Sequence, residues 1–416
     1  VDRRYSLHAR RLICGLAGLV LLAGCAGRGE PPLPDPAEQV RAHLLSAYQP
    51  ERHATQARQA IWRIGERSVA IEWLAPVNEQ GQALPLVIYL PGLGESAEAG
   101  ETWRNAWAEA GYAVLSMQAA AYDRSMMSSP LALGGNFREL ARRSFGERAL
   151  AERVRLLEAV LEQVRLRADG GDRLFAAIDW QRVALAGFDL GAQTAAAWLS
   201  GTHSPRPLAA ILLSPYVAPE QTPASFASIS VPLLAMTGPQ DEDPFNWVTS
   251  FRQRQKLWEA VPVVGGYQLT LASATHKTLS GSGVLQAPPA LADNAPPGRE
   301  RERRGGRPSG EPGGSGGPGG DRRPEGGQGG PGGAGGKGPG GRPERAPEAM
   351  GIFREPAQDY RQVAAIQAFS VAFLDARLQR KAAAEDWLQR QAQGWLGDAG
   401  RLEERLGLPA AAPGSH

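Results

Sequence analysis

The chain has 416 residues, a formal net charge of +2 and 42% apolar residues, enough for one large domain or two ordinary ones. That balance gives no electrostatic call on nucleic acid. Its two cysteines, Cys14 and Cys25, precede the main body, which excludes a disulfide framework or a cysteine metal site there. The histidines show no His-x-His or His-x-x-x-His spacing, so no metal is expected. No glycine-rich phosphate loop with a following Lys-Ser/Thr occurs, so no nucleotide cofactor is expected either.

Residues 1–25 read as an export signal. Arg3, Arg4, Arg10 and Arg11 form a basic start, and Leu12 to Ala23 is an apolar stretch too short for a convincing membrane span. It ends in Leu22-Ala23-Gly24-Cys25, which resembles a bacterial lipobox. That resemblance implies acylation of Cys25 and anchorage in a lipid bilayer; Ala26 at the next position implies the outer membrane, facing the periplasm. A simple signal peptide or an anchor helix is the alternative.

A tether is expected over 26–37 and a short helix over Glu38–Ala47. Trp62–Gly65 and Val69–Leu74 alternate with period two, as in an antiparallel hairpin at a sheet edge. Leu84 to Leu90 is a continuous apolar run, which predicts a fully buried strand. It leads into Pro91-Gly92-Leu93-Gly94-Glu95-Ser96. A helix over Thr102–Ala110 and a strand over Tyr112–Met117 follow. Residues 118–146 lack clear periodicity and are expected as a long loop, either a lid or wall over a site or a surface excursion. Arg148–Arg167 carries Val154, Leu157, Val160, Leu161 and Val164 on one helical stripe.

Val183–Ala186 predicts another buried strand. It enters the tight turn Gly187-Phe188-Asp189-Leu190-Gly191 and then an alanine-rich helix. Leu208–Ser214, Val231–Thr237 and Tyr267–Ala272 predict three more strands, the last of these closing the sheet, with a helix over Phe251–Val261. Residues 281–350 are dominated by Gly, Pro and Arg and hold almost nothing apolar. Burial there cannot offset a backbone ordering cost of about 1–2 kcal/mol per residue, so a disordered insertion is expected. An RNA-binding role for it is not expected, because aromatic residues for base stacking are absent. A helix over Gln362–Lys381 and two short ones near Trp387 and Trp395 end the pattern.

Alternating strands and helices imply a mostly parallel sheet with helices on both faces, and sites at the carboxyl ends of its strands. Asp189, Asp241 and His276 each follow such a strand. Gly187-Phe188-Asp189-Leu190-Gly191 has the form of the Gly-x-Ser-x-Gly nucleophile elbow, with aspartate for serine. With Leu90–Gly94, Thr237–Asp241, Tyr267–Leu269, Ala274–His276 and the helix around Ala372–Ala376, the chain resembles the α/β-hydrolase superfamily. More narrowly it resembles dienelactone hydrolase-like and platelet-activating-factor acetylhydrolase-like bacterial esterases.

The resemblance covers about 60–280 and 357–390 and implies an α/β-hydrolase fold. Its domain would occupy 38–280 and be completed by helices over 351–408, with a flexible tail at 409–416. His276 would be the base and Asp241 the acid that orients it, with Asp243 as rival two residues on. Leu93 or Gly94, with Leu190, would supply oxyanion N–H groups. No cofactor is implied, and the partner is a small-molecule substrate.

Asp189 leaves the reaction open. Ester or lactone hydrolysis is the first expectation, with Asp189 as nucleophile or as base for a water. A carboxylate attacking an acyl group gives an anhydride; attacking saturated carbon it gives an ester, as in haloalkane dehalogenases and epoxide hydrolases of this superfamily. The elbow resembles theirs only partly: dehalogenases commonly place Trp where Leu190 stands. The 16 residues between Ser214 and Val231 are too few for an epoxide hydrolase cap. A fold that has lost catalysis and serves as an envelope-anchored binding protein is the remaining alternative.

Overall fold

The computed structural model describes residues 35–78, 81–261, 263–285 and 359–406. The expected signal segment, Cys25, residues 26–34 of the tether, residues 286–350 of the insertion and the 409–416 tail lie outside them. Among the described residues no helix is long and apolar enough to cross a membrane.

Nine strands form one sheet in the order β1-β2-β4-β3-β5-β6-β7-β8-β9. β1 (Thr55–Ile64) and β2 (Arg67–Pro76) are the expected antiparallel edge hairpin. β3 (Leu84–Leu90), β4 (Ala113–Ala119), β5 (Ile178–Phe188), β6 (Ala209–Leu213), β7 (Leu233–Thr237) and β8 (Tyr267–Leu271) run parallel. The sheet does not end at β8. β9 (Gly400–Glu404) pairs antiparallel with it, Leu269 facing Leu402. Gly-Arg-Leu-Glu-Glu has no apolar run and lies half exposed at an edge, so burial left no pattern to read there.

Side-chain alternation along β3 explains the layers. Leu86, Ile88 and Leu90 belong to one apolar core, Val87 and Tyr89 to the other. A strand buried on both faces needs helices on both. α1 (Pro36–Leu44), α2 (Glu101–Glu109) and, much later, α7 (Tyr360–Leu378) cover the second face through Val40, Trp103, Trp107, Phe369 and Phe373. α3 (Phe137–Phe145), α4 (Glu147–Asp169), α5 (Leu190–Ser200) and α6 (Phe251–Ala260) cover the first. Short helices flank a π turn at Trp387–Gln391, near the two expected tryptophans. This is an α/β fold with a mostly parallel sheet.

Two boundaries differ from expectation. The segment 118–146 is largely helical: a 3-10 turn at Arg124–Ser128, a short helix at Pro130–Leu133, then α3. The first two pieces are too short for periodicity and are started by local caps, Asp123 accepting from Ser125 N–H and Ser129 from Ala132 N–H. Gly281–Leu285, expected within the insertion, pack on α2: Thr102 N–H bonds to Gly281 O, Gly283 N–H bonds to Glu101, and Val284 is buried.

The long return from α7 to the sheet is tied by a buried carboxylate. Asp375 accepts Tyr112 Oη at 2.6 Å, Tyr48 Oη at 2.7 Å and Lys381 Nζ at 3.1 Å. Three chain regions remote in sequence thus share one anion. Asp375→Ala strands the buried Tyr112 hydroxyl and should lower unfolding free energy by about 2–4 kcal/mol, read from urea denaturation curves.

Candidate active site at the elbow

The elbow is forced by crowding. A Cβ on Gly191 would sit 1.8 Å from Leu90 O, and one on Gly187 would sit 2.5 Å from Gly191 C. Only glycine lets β5, the turn and α5 approach β3 this closely. Asp189 is left at φ 49° and ψ −108°, a conformation that L-residues adopt at a cost of about 1–3 kcal/mol. Its N–H bonds to Leu213 O, and its carbonyl accepts from Gln193 N–H in the first turn of α5. The side chain does not cap that helix. It turns instead toward the loop after β3.

There Leu93 N–H lies 3.5 Å from Asp189 Oδ2. Gly94, the other expected donor, faces away: its N–H bonds to Tyr122 O at 2.8 Å. Glu95 steadies this loop by accepting Gly92 N–H at 2.9 Å. Leu190 opens α5 beside Asp189 and is buried.

The other two expected residues meet as a pair. His276 Nδ1 lies 2.7 Å from Asp241 Oδ1. Asp241 also accepts from Thr237 Oγ1 at 2.8 Å and from Ser214 Oγ at 2.7 and 2.8 Å. Ser214 reaches it from the end of β6 with φ 52°. A bridge between Gln240 and Thr275 holds the acid and histidine turns side by side. Asp243 is not bonded to His276: it accepts backbone N–H groups of Phe245, Trp247 and Val248 and so shapes its own loop, though its charge still reaches Asp189. Between the rivals, Asp241 is the one that touches His276.

Sequence reading missed Arg254. It projects from α6, fully buried, into the middle of these groups. Nη1 donates to Ser214 O at 2.7 Å and lies 3.5 Å from Asp189 Oδ1. Nε is 3.2 Å from Asp241 Oδ2, close enough for an ion pair but off the line of a hydrogen bond. Nη2 is 3.4 Å from His276 Nδ1. The signal was present in α6, where the buried stripe is Arg254, Leu257 and Trp258. An arginine at the i position of an apolar i, i+3, i+4 stripe needs a buried anion.

A second buried arginine braces the elbow helix from outside. Arg153 of α4 donates to Thr194 Oγ1 at 2.8 Å, Gln193 Oε1 at 2.7 Å and Ser144 O at 2.5 Å. Burial pushes its pKa down to about 10.

Burial pushes the Asp189 carboxyl up, partly offset by the fields of His276 and Arg254. Burial also opposes charge on Asp241, but Arg254, His276 and the Ser214 hydroxyl outweigh it and hold that carboxyl below its usual range. Burial opposes charge on His276 too, yet the bond to Asp241 and the fields of Asp241 and Asp189 raise the imidazole above its ordinary value.

A cavity of about 620 Å³ opens beside this network, lined by Leu93, Glu95, Phe188, Gln240, His276 and Ser282 among others. The His276 side chain is 12% exposed, whereas Asp189 is 1% exposed and is not in the cavity wall. Phe245 and Met126 stand over Gly94, and Tyr216 packs between Phe145 and Trp247. Met126 and Phe145, from the segment expected as a lid, wall or surface excursion, pack near the elbow but do not line this cavity. Among the described residues no group of three or more His, Cys, Asp or Glu side chains is arranged to hold a metal. No protein-family model matches the chain, and no curated protein matches it.

A histidine whose folded pKa is raised stabilises the fold fully below its unfolded value, about 6.5, and loses that contribution as pH rises through the folded value. The stability gap between native protein and His276→Gln should therefore be largest below about pH 6.5 and shrink as pH rises beyond it, measured by chemical denaturation across neutral pH.

Proposed function

We propose that the chain is an α/β-hydrolase-fold lipoprotein of the bacterial envelope, anchored through Cys25, whose elbow site binds a small molecule without forming an acyl-enzyme. The fold half of this reading is supported by the elbow after β5 and by the acid and histidine turns after β7 and β8. The functional half is carried by one observation: both Asp189 carboxylate oxygens are engaged, Oδ1 toward the Arg254 guanidinium and Oδ2 toward Leu93 N–H, while the cavity opens on His276. A carboxylate whose charge is held by a guanidinium and a backbone N–H is a weaker nucleophile than a free one. Ester or lactone hydrolysis also needs the Leu93 N–H for the substrate oxyanion, and Asp189 Oδ2 already faces it.

A second reading has its own observation. A carboxylate nucleophile that attacks saturated carbon keeps its second oxygen on backbone donors, which is how Leu93 N–H meets Oδ2. The His276–Asp241 pair would then activate the water that cleaves the ester formed.

Native protein, Asp189→Asn and His276→Ala should be assayed with p-nitrophenyl esters, lactones, epoxides and alkyl halides. Native protein is expected to show no turnover above the uncatalysed background. Epoxide or halide turnover that vanishes in Asp189→Asn would replace this reading with the second; ester or lactone turnover that vanishes in either variant would restore the esterase expectation.

A further inference from the structure

Two carboxylates, Asp189 and Asp241, are buried within reach of one guanidinium. Isolated buried carboxylates are costly, and a cation close by offsets part of that cost. A hydroxyl at the elbow tip would need no such partner; an aspartate does. Arg254 therefore has a reason to be buried that is tied to the identity of residue 189. Its position has a second consequence. Nε and Nη2 lie against the two groups that would serve a nucleophile, Asp241 and His276. A fixed cation there draws on the carboxylate that must orient the imidazole, and it opposes the second positive charge that His276 gains on accepting a proton.

We propose that Asp189 and Arg254 are a compensated pair: the guanidinium permits an aspartate at the elbow tip and holds the site out of acyl transfer, so that this activity lies latent behind one ion pair. The proposal rests on the reading that the native site does not acylate. With serine at position 189 and no cation at position 254, the step is complete in itself. The introduced serine Oγ attacks the ester carbonyl, and His276 takes the Oγ proton. The tetrahedral oxyanion lies toward Leu93 N–H. Collapse breaks the ester C–O bond, and the alcohol leaves with the proton from His276. Water then releases the acid by the same route.

The test compares Asp189→Ser, Arg254→Met and the Asp189→Ser/Arg254→Met double variant. One readout is covalent labelling by a fluorophosphonate, followed by intact mass; the other is the thermal midpoint of each protein. The double variant should label about tenfold faster or more than Asp189→Ser, and His276→Ala in its background should abolish labelling. Arg254→Met should lower the midpoint far more in the native background than in Asp189→Ser, because only the former leaves two buried carboxylates facing one histidine. Equal labelling of Asp189→Ser and the double variant overturns the proposal, as do additive midpoint losses or a double variant less stable than Arg254→Met. If Arg254→Met does not fold, Arg254→Lys, which keeps the charge, should restore folding; if Lys fails too, a charge role for Arg254 is overturned. Native turnover lost in Asp189→Asn would sink the reading of the native site while leaving the coupling of positions 189 and 254 intact, so the two failures are distinguishable.

Discussion

At the contact between Gly191 and Leu90 O, where any Cβ would sit 1.8 Å from the carbonyl, β3, β5 and α5 are pressed together more closely than any side chain allows. The turn between β5 and α5 has no room to relax, so residue 189 is held with φ positive and its side chain pointing off the helix axis. The same crowding brings the loop after β3 beside that side chain and fixes the relation between Leu93 N–H and Asp189. Strain, position and direction at the elbow all follow from one close approach.

An anionic side chain at such a point sets the next constraint. Asp189 cannot be hydrated, and the acid Asp241 lies buried nearby. The fold answers with Arg254 from α6 and with hydroxyls from Ser214 and Thr237. The outcome is a dense polar knot inside an otherwise apolar core, in which the histidine edge alone faces open space. Elsewhere the fold handles buried charge similarly, in the Arg104–Glu72 pair at 2.8 Å and the Asp375 hub. Each of these joins chain segments that sequence order keeps apart.

Much of the sheet was legible because its strands obey simple rules. Leu84–Leu90 and Val183–Ala186 are apolar throughout, as strands covered on both faces must be. The β1–β2 hairpin showed period two because Trp62, Val69, Ile71 and Trp73 all face one core, although Glu72 on the other face of β2 is buried too, against Arg104. α4 showed its stripe because it lies on the sheet surface. The rest was hidden for equally physical reasons. β9 is a polar edge whose pairing depends on what lies beside it. The first two helical pieces of 118–146 are shorter than the period needed to detect them. Gly281–Leu285 belong to the body because α2 and Glu101 meet them, which composition does not show.

The elbow, the order of Asp189, Asp241 and His276, and their placement after parallel strands were all written in the chain, since glycine spacing and strand runs act locally. Packing in three dimensions set what remained. It distinguished Asp241 from Asp243, because only one turn reaches His276 at 2.7 Å. It turned Gly94 N–H to Tyr122 and left Leu93 N–H for Asp189. Above all it placed Arg254, 65 residues from the elbow in the chain, against Asp189. A charge acts over a few ångströms of space in any direction, and the linear order of residues does not record which distant side chain will arrive there.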